Sequence, residues 1–308
     1  MSQQREDWNA VTGASGYSGR YITQQLLSIG EPVRTLVRQP ERGTPFGSQV
    51  PALRLQFDNV SALTESLRGA KTLYNTYWVR FEHGTARFAQ AVENTRCLLQ
   101  AAKAAGVRRV VHLSVSNPDL DSRLPYFSGK ALVEEDIRRS GLSYAILRPT
   151  LIYGHDDILV NNIAWCLRRF PVFAVPGSGK CKLQPVFIED LTRLAVQAAQ
   201  RDDNFVADAV GPETFTFEEF VRGLAHAINS RALIIHAPPS VSLAASQLVG
   251  LAVGDVMLTR DELDGLMANL LISADPPTCQ TRFSQWLMQN ANGVGTLYAS
   301  ELRRHFHR

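Results

Sequence analysis

The chain has 308 residues, is 45% hydrophobic and 20% charged, and carries 32 Lys and Arg against 29 Asp and Glu, for a net charge of +3. That length allows one large or two modest domains with a sizeable core. So small a charge on scattered cations argues against a nucleic-acid surface, and no run of about 18 apolar residues is present to span a membrane.

The glycine-rich stretch comes first. Trp8 to Val11 is a short apolar strand, and Val11-Thr12-Gly13-Ala14-Ser15-Gly16-Tyr17-Ser18-Gly19-Arg20 follows it. Tyr21, Ile22, Leu26 and Ile29 then recur at helical spacing. Glycines between a strand and a helix permit a tight turn, close approach to a pyrophosphate, and close helix–strand packing. The N–H groups freed at the helix start face the phosphates. Gly13, Ser15, Gly16, Tyr17 and Gly19 are therefore expected to bind a dinucleotide.

Val33–Val37 is the second strand, and Arg38 follows it where the adenosine ribose lies in such a fold. An acid there favours NAD, whereas a cation suits a 2′-phosphate, so Arg38 favours NADP, with NAD as the alternative. Leu53–Phe57 is a third strand ending at Asp58, which either touches adenine or opens the next turn. Ser61–Leu67 is a short helix and Thr72–Tyr77 the fourth strand. The polar end of that strand, with Asn75, lies at the ligand-binding edge of the sheet. Phe88–Ala105 is a long amphipathic helix in which Asn94 reads as a structural bridge. Arg109–Leu113 is the fifth strand, Ser114 to Asn117 the loop beyond it, Ala131–Ser140 a helix, and Ser143–Leu147 the sixth strand. This alternation predicts an α/β fold, a Rossmann-type doubly wound parallel sheet over residues 1–150.

After Thr150 the rhythm breaks. Residues 151–308 read as a mostly helical substrate or cap region, with 182–212 returning to the core. Pro176-Gly177-Ser178-Gly179-Lys180 lacks the spacing of a phosphate loop and reads as a surface turn. Thr216 with Glu219 and Thr259 with Glu262 read as capping boxes. The apolar stretch Val241 to Leu258 is expected to be a helix in the cap's own core, rather than a surface for a membrane or partner. Cys97, Cys166, Cys181 and Cys279 are widely spaced without a CxxC pair, which implies free thiols, no metal site and a reducing compartment. The polar N-terminus does not read as a signal peptide, so a cytoplasmic protein is expected.

Tyr126 and Lys130 stand one helical turn apart between the fifth and sixth strands. An ammonium beside a phenol stabilises the phenolate and lowers its pKa from about 10. Such a tyrosine moves the proton of a carbonyl–alcohol pair while a nicotinamide carries the hydride, and the lysine also holds the nicotinamide ribose.

The Gly13–Gly19 turn, Asn94, Leu113-Ser114, Tyr126 to Lys130, Leu147-Arg148-Pro149, Tyr153-Gly154 and Pro185 to Asp190 occur in the order of the short-chain dehydrogenase/reductase superfamily. The chain resembles its extended or atypical branch, which includes NAD-dependent epimerases and dehydratases. The tail around Leu258-Thr259-Arg260-Asp261-Glu262-Leu263 resembles bacterial relatives of the nucleotide-binding accessory subunit of respiratory complex I. The resemblance implies an NAD(P)-binding Rossmann domain, Tyr126 as acid/base, Lys130 as its electrostatic partner, and Pro149 and Thr150 near the nicotinamide. One departure stands out. The position of the family's substrate-binding serine is Val115, flanked by Ser114 and Ser116, which point the other way on an extended chain; a small shift of backbone would present either one as the catalytic hydroxyl. The function expected is an oxidoreductase or epimerase/dehydratase-like enzyme with a small-molecule carbonyl or secondary-alcohol substrate. That substrate would enter between the sheet's carboxyl edge and the cap. The rival is a non-catalytic NAD(P)H-binding sensor or accessory subunit of a respiratory or quinone-related protein complex.

Overall fold

The computed structural model describes residues 7–305. Most of the N-terminal stretch judged not to be a signal peptide lies outside them. In chain order the elements are β1 (Trp8–Thr12), α1 (Tyr17–Ser28), β2 (Val33–Val37), β3 (Ala52–Arg54), α2 (Val60–Leu67), β4 (Ala70–Asn75), α3 (Phe88–Ala105), β5 (Arg109–Leu113), α4 (Pro125–Arg139) and β6 (Ser143–Pro149). There follow β7 (Leu151–Tyr153), α5 (Leu159–Arg169), β8 (Val172–Pro176), β9 (Lys182–Leu183), β10 (Pro185–Phe187), α6 (Ile188–Ala199) and β11 (Phe205–Ala209). The last elements are β12 (Phe215–Thr216), α7 (Phe217–Ala227), β13 (Leu233–Ala237), α8 (Pro239–Val253), α9 (Arg260–Met267), α10 (Phe283–Asn290) and α11 (Glu301–His305). They fall into two units, one running to Arg148 and including Leu191–Ala207, the other comprising Pro149–Asp190 and the chain from Asp208.

The first unit is built on a seven-stranded parallel sheet of order β11-β6-β5-β4-β1-β2-β3. Helices on both faces make its strands apolar almost throughout, and every residue of β1 and β5 is buried. On one face Ala10, Leu36, Leu73, Val110 and Ile146 meet Leu63, Leu98, Val133 and Ile137 of α2, α3 and α4. The expected six strands are all present, and β11 adds a seventh next to β6. Two limits differ. The third strand ends at Arg54 rather than Phe57. Helix α4 begins at Pro125, so Tyr126 and Lys130 lie within it; proline at the first turn costs no hydrogen bond and starts a helix well.

The second unit is less purely helical than expected. It also holds three two-stranded pairs, β10–β7, β12–β9 and β13–β8, whose strands of two to five residues are too short to show a period. Its core is aromatic: Tyr153, Phe187, Phe220, Phe283 and Trp286 pack at ring separations of 4.7 to 6.4 Å. Both capping boxes are formed, with Thr216 and Thr259 accepting from the amides of Glu219 and Glu262 and each glutamate returning a bond. Residues 177–180 form a turn, with Gly177 and Gly179 at positive φ.

One expectation is overturned. Helix α8 is not a core helix: among its residues only Ser242 and Gly250 are buried, while Leu248 and Leu251 are 68% and 80% exposed. Its apolar side chains are spread round the axis rather than gathered in a stripe, and three of the nine are alanine, so no face drives it inward.

Candidate cofactor and active site

The turn after β1 is closed by backbone bonds. Gly13 N–H donates to Leu36 O at 3.0 Å and Gly16 N–H to Gly13 O at 2.8 Å. Gly13 has φ +69°, and nothing lies within 4 Å of where its Cβ would stand. Gly19 is the reverse case. It sits in the first turn of α1, and a Cβ there would lie 2.3 Å from Gly13 O and 3.1 Å from Thr12 O. Gly16 is the N-cap but offers no side-chain acceptor, and the first turn carries no acid. The positive end of α1 is thus left for an external anion, which fits a pyrophosphate. Ser15 and Tyr17 are half-buried in the same turn, and the Tyr17 ring meets Tyr21 edge-on at 5.5 Å. Thr76 fastens β4 beside it, donating its amide to Thr12 Oγ1 at 2.8 Å and its hydroxyl to Thr12 O at 2.6 Å.

Arg38 is exposed just beyond β2, close enough for its charge to act on the Tyr77 phenol. Burial raises the pKa of that phenol, opposed by a hydrogen bond from Asn94 and by Arg38. Asn94 Nδ2 donates to Tyr77 Oη at 2.7 Å, so Asn94 is a bridge between α3 and the segment after β4. Phe57 packs against Tyr77 at 4.8 Å. Asp58 is exposed beside Asn59, whose side chain caps α2 by accepting from Ala62 N–H at 2.9 Å. Asn75 is fully buried. Its Nδ2 donates to His112 Nδ1 at 3.1 Å, and its Oδ1 accepts from Tyr77 N–H at 3.1 Å. It ties the ends of β4 and β5 together, leaving His112 Nε2 buried without a hydrogen-bond partner.

Tyr126, Lys130, Glu134 and Arg138 recur every fourth residue and share one face of α4. Tyr126 is half-buried, its ring edge-on to Trp78 at 6.1 Å and to Phe88 at 5.8 Å. Lys130 is only 3% exposed; its ammonium donates to Leu113 O at 2.8 Å and stands 4.8 Å from the Trp78 ring centroid. Trp78 can lie there because residue 129 is glycine, where a Cβ would be 3.0 Å from the ring. Burial pulls the Lys130 pKa down to about 7, with Glu134 opposing.

That shift has a measurable sign. Between pH 7 and 10.5 the unfolded lysine holds a proton that the folded one has lost. Stability should therefore rise with pH across this window, by up to about 1.4 kcal/mol per unit from this group. Urea unfolding of the wild type and of Lys130→Met over that range checks it: the variant should lose this rise, and identical slopes would refute the assignment.

Ser114, Val115 and Ser116 are all buried. The Ser114 hydroxyl donates to Glu134 Oε1 at 2.6 Å. Arg148 grips the same carboxylate through Nε at 2.9 Å and Nη2 at 2.6 Å, and Arg138 adds a bond at 2.9 Å. In the second unit, Pro149 is buried and Thr150 donates its hydroxyl to Gln184 O. Trp78, Glu134 and His112 were missed as site residues. Glu134 was findable, being one turn beyond Lys130; Trp78 lies in a loop, where no periodicity marks it.

Residues 13–161 match the NAD(P)H-binding family. The NADH dehydrogenase [ubiquinone] 1 alpha subcomplex subunit 9, mitochondrial, of Arabidopsis thaliana is 24% identical over 220 residues, 68% of this chain and 55% of the relative. The chain thus spans little more than half of that relative's length. The ceramide reductase of Caulobacter vibrioides is 27% identical over 249 residues, covering 78% of this chain and 76% of the relative. Among solved structures, an NADPH-dependent quinone oxidoreductase from Escherichia coli, in complex with NADPH, superposes with a TM-score of 0.73 at 21% identity, covering 92% of this chain and 98% of that one. Residues 13–161 are therefore an NAD(P)H-binding domain, and the solved structures that share the chain's fold are extended short-chain dehydrogenases/reductases.

Proposed function

We propose that the protein is an NADP-preferring oxidoreductase acting on a carbonyl or secondary-alcohol substrate, with Tyr126 as its acid/base. The observation that carries this reading is the Tyr126/Lys130 pair on the first turns of α4, beside the carboxyl end of β5. When bound, the nicotinamide supplies or accepts the hydride. Tyr126 holds the exchanging proton at its phenolic oxygen. Lys130, anchored by Leu113 O, lends a positive field that favours the phenolate while it holds its proton. Ser114 is committed to Glu134, so carbonyl polarisation falls mainly to Tyr126. Epimerisation through a transient ketone would use the same residues. Tyr126→Phe should lower kcat/KM at least about 100-fold on an accepted carbonyl substrate while leaving NADPH affinity unchanged. Unchanged turnover removes Tyr126 from this role.

Arg38 supports the cofactor preference, because it is an exposed cation following β2 beside Tyr77. Arg38→Ala should weaken NADPH at least about tenfold in calorimetric titration and leave NADH nearly unaffected, since only the 2′-phosphate needs the guanidinium. Equal losses for the two would refute it.

A second reading is a non-catalytic NAD(P)H-binding sensor or accessory subunit. Two observations favour it: the Trp78 ring over Lys130, and the uncharged, largely exposed α8. An exposed apolar surface of this kind marks a place where partners dock, and the Arabidopsis relative is named as a subunit. No described helix is long and apolar enough to cross a membrane. Mild purification from the source organism separates the readings, because a stable stoichiometric complex without turnover supports the second.

A further inference from the structure

A cavity of about 440 Å³ lies in the first unit at the amino edge of the sheet, the edge opposite the glycine turn. Asn9, Thr72, Tyr74 and Arg109 reach it from the strands, and Leu26 and Val196 wall it from α1 and α6. Its size is that of a small-metabolite site.

Two buried polar residues line it. Arg109 is 4% exposed, and its guanidinium donates to Ala198 O at 2.9 Å, to Ser143 Oγ at 2.5 Å and to Asp203 O at 2.8 Å. All of these acceptors are neutral. The Asp203 carboxylate is taken by Arg201, at 2.8 and 2.6 Å. Guanidinium N–H donors remain over, and a buried cation is ordinarily matched by an anion. Desolvation lowers the Arg109 pKa, with the charges of Asp203 and Asp202 opposing. Tyr74 is 1% exposed and lines the cavity. A buried phenol usually finds a partner. Two acids line the cavity: Glu31, held by Lys71 at 2.5 Å and by Asn9 at 2.8 Å, and Asp202, whose charge acts on Arg109 through space.

We propose that this cavity is a second ligand site, for a small anion with an apolar body. Its carboxylate or phosphate would meet Arg109, a polar atom would meet the Tyr74 hydroxyl, and its apolar part would lie against Leu26 and Val196. The site is separate from the dinucleotide turn and holds whether or not Tyr126 is catalytic.

The probes are benzoate and phenyl phosphate, titrated into the isotope-labelled full-length protein and followed by amide shifts. Inorganic phosphate serves as the headgroup alone. Either aryl anion should shift Asn9, Lys71, Thr72 and Tyr74, with a Kd under about 1 mM, and bind more tightly than inorganic phosphate. Which of the two binds better tells carboxylate from phosphate ligands. Arg109→Gln should weaken binding about tenfold. Because that variant removes a buried anchor of the fold, Tyr74→Phe carries the test on an undisturbed core and should weaken binding at least about threefold. No shifts for either aryl anion up to about 10 mM, shifts centred on residues 13–19, or affinity indifferent to Tyr74→Phe would each overturn the proposal.

Discussion

Gly19→Val should abolish NADPH binding and destabilise the protein by more than about 3 kcal/mol, beyond the usual cost of an overpacked side chain. The atoms in the way are backbone. A Cβ would stand 2.3 Å from Gly13 O, 2.9 Å from Gly13 C and 3.1 Å from Thr12 O, and none of these can swing aside as a side chain would. Helix α1 would have to lift from β1, carrying Ile22 and Leu26, each 1% exposed, out of the core. The neighbouring glycines make a graded control. Gly16→Ala meets one oxygen at 3.2 Å and should be mild. Gly13→Ala has open space but a φ of +69°, so it should cost about 1–2 kcal/mol of backbone strain. Denaturant unfolding with NADPH titration of the three variants gives the ranking. A stable Gly19→Val that binds cofactor would show that the strand and helix are not packed as described.

Glu134→Ala is expected to cost about 3–5 kcal/mol, because it removes the common acceptor of a buried cluster. The carboxylate is 1% exposed and takes bonds from Ser114, Arg138 and both arms of Arg148. Its loss would strip Ser114 and Arg148 of the bonds it accepts, while Arg138 would keep Glu135. Ser114→Ala removes one neutral donor from an acid still held by two arginines, and should cost about 1 kcal/mol. A double-mutant cycle of the two positions in urea unfolding measures the coupling, and equal losses from both single variants would argue against Glu134 as the hub.

The glycine turn, strand limits such as Val33–Val37 and Arg109–Leu113, and the whole of Phe88–Ala105 were legible in the sequence. In these stretches a strict period or a stop residue speaks for itself; Gly106, in the left-handed conformation, ends α3 where expected. The pair Tyr126 and Lys130 was legible as spacing, but its setting was not. That Lys130 lies under Trp78 depends on a contact made across many residues of intervening chain and allowed by the bare surface of Gly129. Ser114 read as a hydroxyl at the right edge of the sheet, yet its acceptor is on another element. The error at α8 has a different origin. Hydropathy alone suggested burial for a run of Ala, Val and Leu, but burial of a helix follows from sidedness, and that run has none.

The return of Leu191–Ala207 to the first unit has a consequence for synthesis on the ribosome. The nucleotide-binding sheet cannot be completed when residue 148 leaves the exit tunnel. Its outer strand, β11, and the Ala198 and Asp203 carbonyls that hold Arg109 arrive some fifty residues later, after part of the second unit. Until then β6 is an unpaired sheet edge, open to pairing with another nascent chain. The two units are therefore interlocked in time, and a chain cut at the apparent boundary would be caught at its most aggregation-prone moment.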